Sequence, residues 1–259
     1  MAHKSYAAPY RLTTDTGLDA TMIHGFIRSL NARRKEFKPE RIIVTWESHG
    51  TTSWRKKRYP LYKTGRQLNK QFISCQEDLK ILLYLFGIEQ YYSPENEADD
   101  VIGRLTCDSN AFGLGYPLLI FASDKDLMQL IGEHCHMYDG KKIITTKEVK
   151  DKFGIEPKDI PKFLAVVGDD VDNIKGIDGI GPKKAAKYIN MEDKEDCPLR
   201  KYKDKIKFNE KLTKLNCDCE LVEFKTNNVL LNQTIDSLLD KYKLKSIKEK
   251  LDEYKLMGN

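Results

Sequence analysis

Residues 94–104 read Pro94-Glu95-Asn96-Glu97-Ala98-Asp99-Asp100-Val101-Ile102-Gly103-Arg104. Four acidic residues of this segment stand at the beginning of an apolar helical pattern. Pro94 and Asn96 are typical of helix starts, which places the acids in or near the first turn. Acids favour the positive end of a helix, so the segment alone has an ordinary structural explanation. Two further clusters, Asp124-Lys125-Asp126 and Asp169-Asp170-Val171-Asp172, favour a functional explanation.

The composition is typical of a soluble globular protein with one large domain or two small ones. The chain has 259 residues, of which 40% are hydrophobic and 32% are charged. It contains neither an apolar run of membrane-spanning length nor an apolar signal core, which predicts no membrane partner and a cytoplasmic setting. The net charge is +5, and basic residues crowd Arg55–Arg66, Lys183–Lys187 and Lys201–Lys214. A basic surface around an acidic centre suits a metal-dependent nuclease, although an ordinary mixed-charge surface also fits the net charge.

Hydrophobic periodicity predicts strands that alternate with helices in the first part of the chain. Predicted helices lie at Leu18–Asn31, Leu68–Phe86, Ala98–Ser109 and Leu127–Ile131. Predicted strands lie at Arg41–Trp46, Ile88–Tyr92, Pro117–Ala122, His136–Tyr138 and Lys142–Thr145. Mostly helices are predicted after Thr146. This alternation predicts an α/β fold with a doubly wound, mostly parallel sheet flanked by helices.

Acidic residues follow three of the predicted strands. They are Glu47 after the first strand, Glu97, Asp99 and Asp100 after the second, and Asp124 and Asp126 after the third. In a doubly wound sheet the ligands lie beyond the carboxyl ends of the strands, so these side chains are expected to converge. Converging carboxylates repel each other unless they bind a cation. Oxygen ligands point to Mg²⁺ or Mn²⁺, and the six cysteines lack the paired spacing of a zinc site.

A second informative segment, Gly168–Ile189, reads GDDVDNIKGIDGIGPKKAAKYI. Gly176, Gly179 and Gly181 permit a tight turn, and Pro182 suits the first turn of a following helix. The pattern predicts a helix–hairpin–helix whose amides and helix N-terminus hold a DNA phosphate without reading bases. Three lysines add positive charge on the same side: Lys183, Lys184 and Lys187. A plain glycine-containing helix connection explains so specific a spacing less well.

These motifs resemble those of the 5′ nucleases, which comprise flap endonucleases, bacteriophage 5′–3′ exonucleases and the exonuclease domain of bacterial DNA polymerase I. The matching segments are Glu97–Gly103, Ser123–Leu130 and Gly168–Ala185, in the same order and with matching spacing. The resemblance implies a PIN-like catalytic region over residues 1–150, with a helical arch at about 51–70. It implies a helical DNA-binding region over residues 151–259, with the helix–hairpin–helix (helix–three-turn–helix) at about 163–190.

The resemblance also implies roles for individual residues. The ligands of two divalent ions would be Glu47, Glu97, Asp99, Asp100, Asp124, Asp126, Asp169 and Asp172. Lys63 and Arg66 would be catalytic, because they would steer the scissile phosphate. Other DNA contacts would come from Arg55, Lys56, Lys57, Arg58, Gly176, Gly179, Gly181, Lys183, Lys184 and Lys187, and from Tyr62 as a base-stacking platform. The hairpin would also bind K⁺ through backbone carbonyls.

The implied activity is that of a structure-selective 5′–3′ exonuclease or flap endonuclease. It would hydrolyse DNA phosphodiesters by a two-metal mechanism in replication or repair. The expected substrate is DNA with a 5′ single-stranded flap or end, and also an RNA–DNA hybrid. A replicative polymerase is the expected partner, and the chain is expected to be a monomer in a bacterial or phage-infected cell.

Two features depart from the family pattern. Glu47 stands where the family usually has an aspartate. Residues 1–12 contain no apolar strand ending in Asp-Gly, so one central strand and one carboxylate are expected to be missing. The alternative function is therefore a non-catalytic or weakly active DNA-junction-binding relative of the same fold, and metal-dependent cleavage distinguishes the two. A small toxin-class ribonuclease shares the acidic sheet edge but should lack the helix–hairpin–helix.

Overall fold

The computed structural model describes residues 11–48, 51–65, 70–111, 117–191, 195–225 and 235–255. The chain divides into two compact units. Unit 1 comprises Met1–Trp46, Gln67–Tyr92 and Val222–Asn259, and unit 2 comprises Glu47–Arg66 and Ser93–Leu221. This division differs from the predicted order of a region 1–150 before a region 151–259. The physical reason is that each unit joins segments far apart in the sequence, which local periodicity does not report.

The secondary structure alternates between strands and helices up to residue 153 and is mainly helical afterwards. The helices are α1 (Thr21–Phe37), α2 (Trp54–Arg58), α3 (Lys70–Leu85), α4 (Ala98–Ala111), α5 (Thr146–Phe153), α6 (Ile160–Val167), α7 (Pro182–Ile189), α8 (Lys203–Thr213), α9 (Ile235–Lys241), α10 (Lys245–Lys248) and α11 (Leu251–Lys255). Short 3₁₀ helices occupy Asp126–Leu130, Pro157–Asp159 and Pro198–Tyr202. The strands are β1 (Ile43–Trp46), β2 (Glu89–Tyr92), β3 (Leu118–Phe121), β4 (Cys135–Tyr138), β5 (Ile143–Ile144), β6 (Gly168–Asp169), β7 (Ile174–Lys175) and β8 (Val222–Glu223).

Unit 1 is built on a sheet in the order β1-β2-β8, in which β1 and β2 are parallel and β8 is antiparallel to β2. Apolar residues recur at helical spacing in α1 and α3, so each helix buries one face. On α1 this face includes Ile23, Phe26 and Ile27, and on α3 it includes Leu79 and Leu82. These residues form one apolar core with the buried residues of α9 and α10.

Unit 2 contains a second sheet in the order β3-β4-β5. Strands β3 and β4 are parallel, with Leu118 opposite Cys135 and Phe121 opposite Tyr138. The core beneath this sheet is dominated by α6, where Phe163, Leu164, Ala165 and Val166 are buried. This second core is separate from that of unit 1.

A tight hairpin of β6 and β7 connects α6 to the segment before α7. Two glycines allow the backbones to approach. A Cβ atom on Gly176 would lie 2.2 Å from the carbonyl oxygen of Val167, and one on Gly168 would lie 2.6 Å from the amide nitrogen of Gly176. Gly168 also has a φ of +92°, which side-chain-bearing residues rarely adopt. This region therefore runs from α6 through the glycine-containing hairpin to α7.

The observed architecture confirms the predicted α/β class, since both main sheets contain a parallel pair. Among the described residues, the strands pair in three groups, β1-β2-β8, β3-β4-β5 and β6-β7. Helix α2 and strand β8 are additional elements, and both are too short to give a periodic signal. Among the described helices we find none with the length and apolarity to cross a membrane.

Candidate metal centre

All eight predicted metal ligands belong to unit 2. Three of them, Glu97, Asp99 and Asp100, lie at or just before the start of α4, and two, Asp124 and Asp126, follow β3. Asp169 and Asp172 lie in the hairpin β6–β7, and Glu47 follows β1. The end of β3 leads directly into the 3₁₀ helix that begins at Asp126. The hairpin turn presents Asp169 and Asp172 to the same site.

Among the described residues, Asp126, Asp169 and Asp172 form a carboxylate group suited to a metal ion. One oxygen of each side chain lies within 4.8 Å of the corresponding oxygens of the other two. Asp169 is 4% exposed and Asp172 is 7% exposed, so water screens their charges poorly. Three hard oxygen donors at this spacing are suited to Mg²⁺ or Mn²⁺.

The hydrogen bonding of this group provides a test of the fit to a cation. Oδ1 of Asp126 is buried and accepts no hydrogen bond. A buried carboxylate oxygen without a partner is costly, and a bound cation would satisfy it. Asp169 is held in place by two contacts, since it accepts a hydrogen bond from the amide of Val171 at 3.1 Å and pairs with Lys125 Nζ at 3.1 Å. The residues therefore fit a divalent ion.

Burial and mutual repulsion raise the pKa of several carboxylates of this centre. Burial, followed by the charges of Asp124, Asp169 and Asp172, raises the pKa of Asp126 to about 8. Burial, followed by the charge of Asp124, raises the pKa of Asp99 to about 7. Burial also raises the pKa of Asp172, although Lys63 and Tyr62 act in the opposite direction. Without a cation, this centre holds protons at a pH where carboxyl groups are normally ionised.

These shifts predict that the metal-free protein loses stability as the pH rises from about 4 to about 8. In the unfolded chain, aspartate side chains release their protons at about pH 3.9, their ordinary pKa. The folded protein keeps protons on Asp99 and Asp126 up to about pH 7 and about pH 8. In this window the folded state binds more protons, so its stability falls with increasing pH.

Mg²⁺ requires the ionised carboxylates, so it should stabilise the protein more at about pH 8.5 than at about pH 5.5. Thermal unfolding with EDTA and with Mg²⁺ at both pH values measures the effect. A Mg²⁺-induced shift of the same size at both pH values would contradict the prediction.

Lys63 and Tyr62 lie against the same centre. Lys63 Nζ donates to Glu97 Oε1 at 2.7 Å and lies 3.9 Å from Asp172 Oδ1. Burial alone would lower the pKa of Lys63, but Glu97 and Asp172 outweigh it and raise the pKa. The Tyr62 hydroxyl lies 2.9 Å from both Glu97 Oε2 and Asp172 Oδ2. Its single proton cannot be donated to both carboxylates at once.

Tyr62 differs in placement from its predicted role as a base-stacking platform. Its side chain is 2% exposed and packs with Ile174 and Leu212, so its ring has no free face for a base. Burial, followed by the charge of Glu97, raises the pKa of Tyr62 well above its usual value. Tyr62 therefore acts as a neutral hydrogen-bond donor between two acids.

The position of Arg55 also does not fit its predicted role as a DNA contact. It is 2% exposed, and its guanidinium donates to both oxygens of Asp100, at 2.6 and 2.7 Å. It further donates to the carbonyl oxygens of Leu212 and Lys214, at 2.8 and 3.1 Å. Asp100 is 0% exposed, so this fork is a buried ion pair that ties α2 to α4. Asp100 is thus occupied by Arg55 rather than joined to the group of Asp126.

The remaining predicted ligands surround the carboxylate group to different degrees. Glu47 is exposed and accepts a hydrogen bond from the amide of Ala98 at 3.1 Å, at the start of α4. Asp124 is exposed and accepts from the amide of Asp126 at 3.1 Å. Burial raises the pKa of Asp99, and the charges of Asp124 and Glu47 raise it further, so both acids lie near it. These residues form an acidic rim around the buried group.

Apart from Arg55, the predicted basic DNA contacts among the described residues fall into two sets, one on α2 and one on α7. Lys56, Lys57 and Arg58 of α2 are exposed, and so are Lys183, Lys184 and Lys187 of α7. Lys184 Nζ donates to the carbonyl oxygen of Gly179 at 3.1 Å. Gly181 lies in extended backbone before α7. Arg66 lies outside the described residues.

Sequence reasoning missed three contributors that the structure places near the centre. Lys125 pairs with Asp169, and its position between Asp124 and Asp126 was the available signal. Asn173 donates from Nδ2 to the carbonyl oxygen of Leu61 at 3.0 Å, which joins the hairpin to the segment that carries Lys63. Phe208 is an exposed aromatic residue on α8, and its ring meets that of Tyr59, whose hydroxyl donates to the carbonyl oxygen of Asn173.

Comparison with known proteins gives consistent matches at the sequence level. A family model described as "5′-3′ exonuclease, N-terminal resolvase-like domain" matches residues 1–154. A 5′-3′ exonuclease of Aquifex aeolicus is 33% identical over 270 residues, which cover 97% of this chain and 92% of that protein. DNA polymerase I of Bacillus subtilis is 32% identical over 200 residues, which cover 74% of this chain but only 22% of the polymerase.

Solved structures show the same fold. A bacteriophage T5 flap endonuclease, in a complex with DNA and metal ions, superposes with a TM-score of 0.65 at 17% identity. The match covers 90% of each chain. Human GEN1 bound to Holliday junction DNA superposes with a TM-score of 0.56 at 16% identity and covers 98% of this chain.

Proposed function

The chain belongs to the 5′–3′ exonuclease family and is a metal-dependent nuclease; we propose that it removes 5′ single-stranded flaps or ends from DNA during replication or repair. The observation that carries this proposal is the group of Asp126, Asp169 and Asp172 with its unpartnered buried oxygen. A structural role does not require three acids that repel each other, two of them buried. A catalytic divalent ion does.

The two-metal mechanism assigns the acids to two positions. Asp126, Asp169 and Asp172 would hold one ion. The acidic rim of Glu47, Asp99 and Asp124, together with the buried Glu97, would contribute to a second, since the other three charges act on Asp99. Bound Mg²⁺ supplies an ionised water at neutral pH and stabilises the charge on the phosphate in an in-line displacement. Asp100 would act indirectly, because its oxygens are taken by Arg55.

Lys63 is the candidate catalytic cation among the described residues. Its ammonium already lies on the acidic centre through Glu97 Oε1. A phosphodiester that enters the centre would offer Lys63 an alternative anionic partner, and the lysine would stabilise charge on it. Tyr62 would keep Glu97 and Asp172 oriented, since it reaches both carboxylates. Arg66 is proposed as a second phosphate-binding cation.

The hairpin and α7 are proposed to hold the duplex. Its DNA-binding side would combine the helix N-terminus at Pro182 with the exposed Lys183, Lys184 and Lys187. Backbone carbonyls of the hairpin are proposed to hold K⁺. The carbonyl oxygen of Gly176 is taken by Lys205 Nζ at 2.6 Å, so the K⁺ ligands would come from other carbonyls.

The substrate and partners follow from the relatives. DNA is the proposed substrate, since the related T5 nuclease was solved with DNA, and an RNA–DNA hybrid is a second substrate of the same geometry. The matched region makes up 22% of a DNA polymerase I, so we propose that this chain acts beside a polymerase. It would then remove the 5′ strand that the polymerase displaces.

A direct test is cleavage of a labelled 5′-flap duplex by the purified chain, with Mg²⁺ and with EDTA. We expect Mg²⁺-dependent release of the flap and no release from a matched 3′-flap duplex. Binding of the 5′-flap duplex without cleavage would instead support the junction-binding alternative. Cleavage of both flaps at equal rates would contradict the 5′ selectivity.

A further inference from the structure

An exposed aromatic and cationic cluster lies on unit 2, outside the carboxylate group. We call it the α2–α8 cluster, and it consists of Arg58, Tyr59 and Phe208. The rings of Tyr59 and Phe208 meet edge to face, with centroids 5.9 Å apart and an interplanar angle of 86°. The guanidinium carbon of Arg58 lies 5.9 Å from the centroid of Phe208. Phe208 is 38% exposed, so part of its ring remains accessible.

The α2–α8 cluster is attached to the hairpin that carries the metal ligands. The Tyr59 hydroxyl donates to the carbonyl oxygen of Asn173 at 3.3 Å, and Asn173 directly follows Asp172. Tyr59 also packs against Tyr62, Ile174 and Leu212. The cluster is therefore joined, through Tyr59, to the hairpin segment that directly follows the predicted ligand Asp172.

The charge around the cluster is positive. Lys205 and Lys211 lie three residues before and after Phe208 on α8, so they occupy the same side of the helix. Four exposed lysines stand on α8 in all: Lys203, Lys205, Lys207 and Lys211. The same helix carries two acids, Asp204 and Glu210, so its net charge is positive. Phosphates are the anions that match an aromatic surface flanked by lysines.

From this arrangement we infer that the α2–α8 cluster binds an unpaired nucleobase of the single strand whose phosphate enters the metal centre. Phe208 stacks on the base, Arg58 adds its guanidinium plane, and the lysines of α8 hold the adjoining phosphates. Stacking of this kind accepts every base, because each base has a π-face. The inference rests on the proposed function and assigns the stacking role to Phe208 in place of the buried Tyr62.

The test is a binding measurement in EDTA, which separates the cluster from catalysis. A 5′-flap duplex carries the fluorescent base 2-aminopurine at successive positions of its single strand. With the wild-type chain, we expect quenching at one or two adjacent positions. Phe208→Leu should abolish this quenching and weaken flap binding about 10-fold, while Phe208→Trp should retain both.

Tyr84→Leu is the matched control. Tyr84 is 37% exposed and meets Phe224 edge to face at 6.4 Å, but it belongs to unit 1. We expect no change in quenching or binding. A nicked duplex without unpaired bases should bind Phe208→Leu as tightly as the wild type.

Two outcomes would overturn the inference. One is quenching that is absent in the wild type or unchanged in Phe208→Leu. The other is an equal loss of affinity for the flap and the nicked duplex, which would show that Phe208 acts through the fold or the duplex. Cleavage in Mg²⁺ without stacking would overturn this inference alone, whereas stacking without cleavage would overturn the proposed nuclease activity alone.

Discussion

Asp126→Asn should strongly slow Mg²⁺-dependent cleavage and at the same time make the metal-free protein more stable. Asparagine has the shape of aspartate but no charge, so it removes both the cost of burying a charge and the repulsion from Asp124, Asp169 and Asp172, which together raise the pKa of Asp126. Its amide can also donate to the neighbouring carboxylates, which Asp126 can do only when protonated. The same change removes one anionic ligand from the proposed metal site. We expect a loss of cleavage rate on the order of 10²–10³-fold, comparable to removing one strong stabiliser of transition-state charge.

The two opposite effects make this prediction specific. A variant that merely misfolds would lose activity and stability together. Cleavage of a 5′-flap duplex measures the first effect, and thermal unfolding in EDTA at about pH 8.5 measures the second. The added stability should vanish at about pH 5.5, where Asp126 is already protonated in the folded protein.

Asp151→Asn is the matched control, because it makes the same change at an exposed residue of α5 outside the centre. It should leave cleavage and unfolding unchanged. A stability gain without loss of cleavage in Asp126→Asn would exclude Asp126 as a metal ligand. A loss of both would show that the residue is structural.

Most residues of the acidic centre could be predicted, because each one is recognised from the sequence segment in which it stands. Asp126 follows a strongly apolar strand, and Asp169 and Asp172 stand in a glycine-rich hairpin. Strand ends and turns of such a fold lie at the same edge of a sheet, so the carboxylates there come close together. Hydrophobic periodicity predicts where the strands end. The closest group, Asp126 with Asp169 and Asp172, was not distinguishable in advance from the other five acids.

The partners of the basic residues were not predictable. The run from Trp54 to Arg58 shows five residues without a clear period, yet Arg55 is buried on Asp100 while its neighbours Lys56 and Lys57 face water. The difference depends on carbonyl groups of residues 212 and 214, more than 150 positions away in the sequence. The burial of Tyr62 has the same cause, since it packs with Ile174 and Leu212, far away in the sequence. The composition predicts a basic, aromatic segment, which the family resemblance interprets as an arch, but tertiary contacts decide which side chain is buried.

The division into two units lies beyond sequence patterns for a related reason. Strand β8 has only two residues and pairs with β2, which precedes it by about 130 positions. So short a strand carries no alternation, and the pairing depends on its partner.

Arg55→Met should destabilise unit 2 by about 3–5 kcal/mol, the usual effect of removing one partner from a buried ion pair. Asp100 is 0% exposed and would keep its charge with only amide donors, those of Glu97 and Asn216 at 3.0 and 2.8 Å. Arg55→Lys should recover only part of the loss, because an ammonium cannot form the two-pronged contact. Trp54 belongs to unit 2, and the chain's other tryptophan, Trp46, belongs to unit 1. Urea unfolding in a Trp46→Phe background, followed by fluorescence, therefore reports on unit 2.

Lys57→Met is the matched control on the same helix. Lys57 pairs with Glu95 at 2.6 Å, but both side chains are about half exposed, so its loss should change stability by less than about 1 kcal/mol. The decisive variant combines Arg55→Met with Asp100→Asn. If the large loss arises from a stranded charge, removing both charges should restore most of the stability that the single change loses. If the double variant is as unstable as the sum of the single ones, the fork stabilises the protein through its contacts to the carbonyls of Leu212 and Lys214 rather than through charge pairing. The position of α2, and with it Lys63, would then depend on the guanidinium itself.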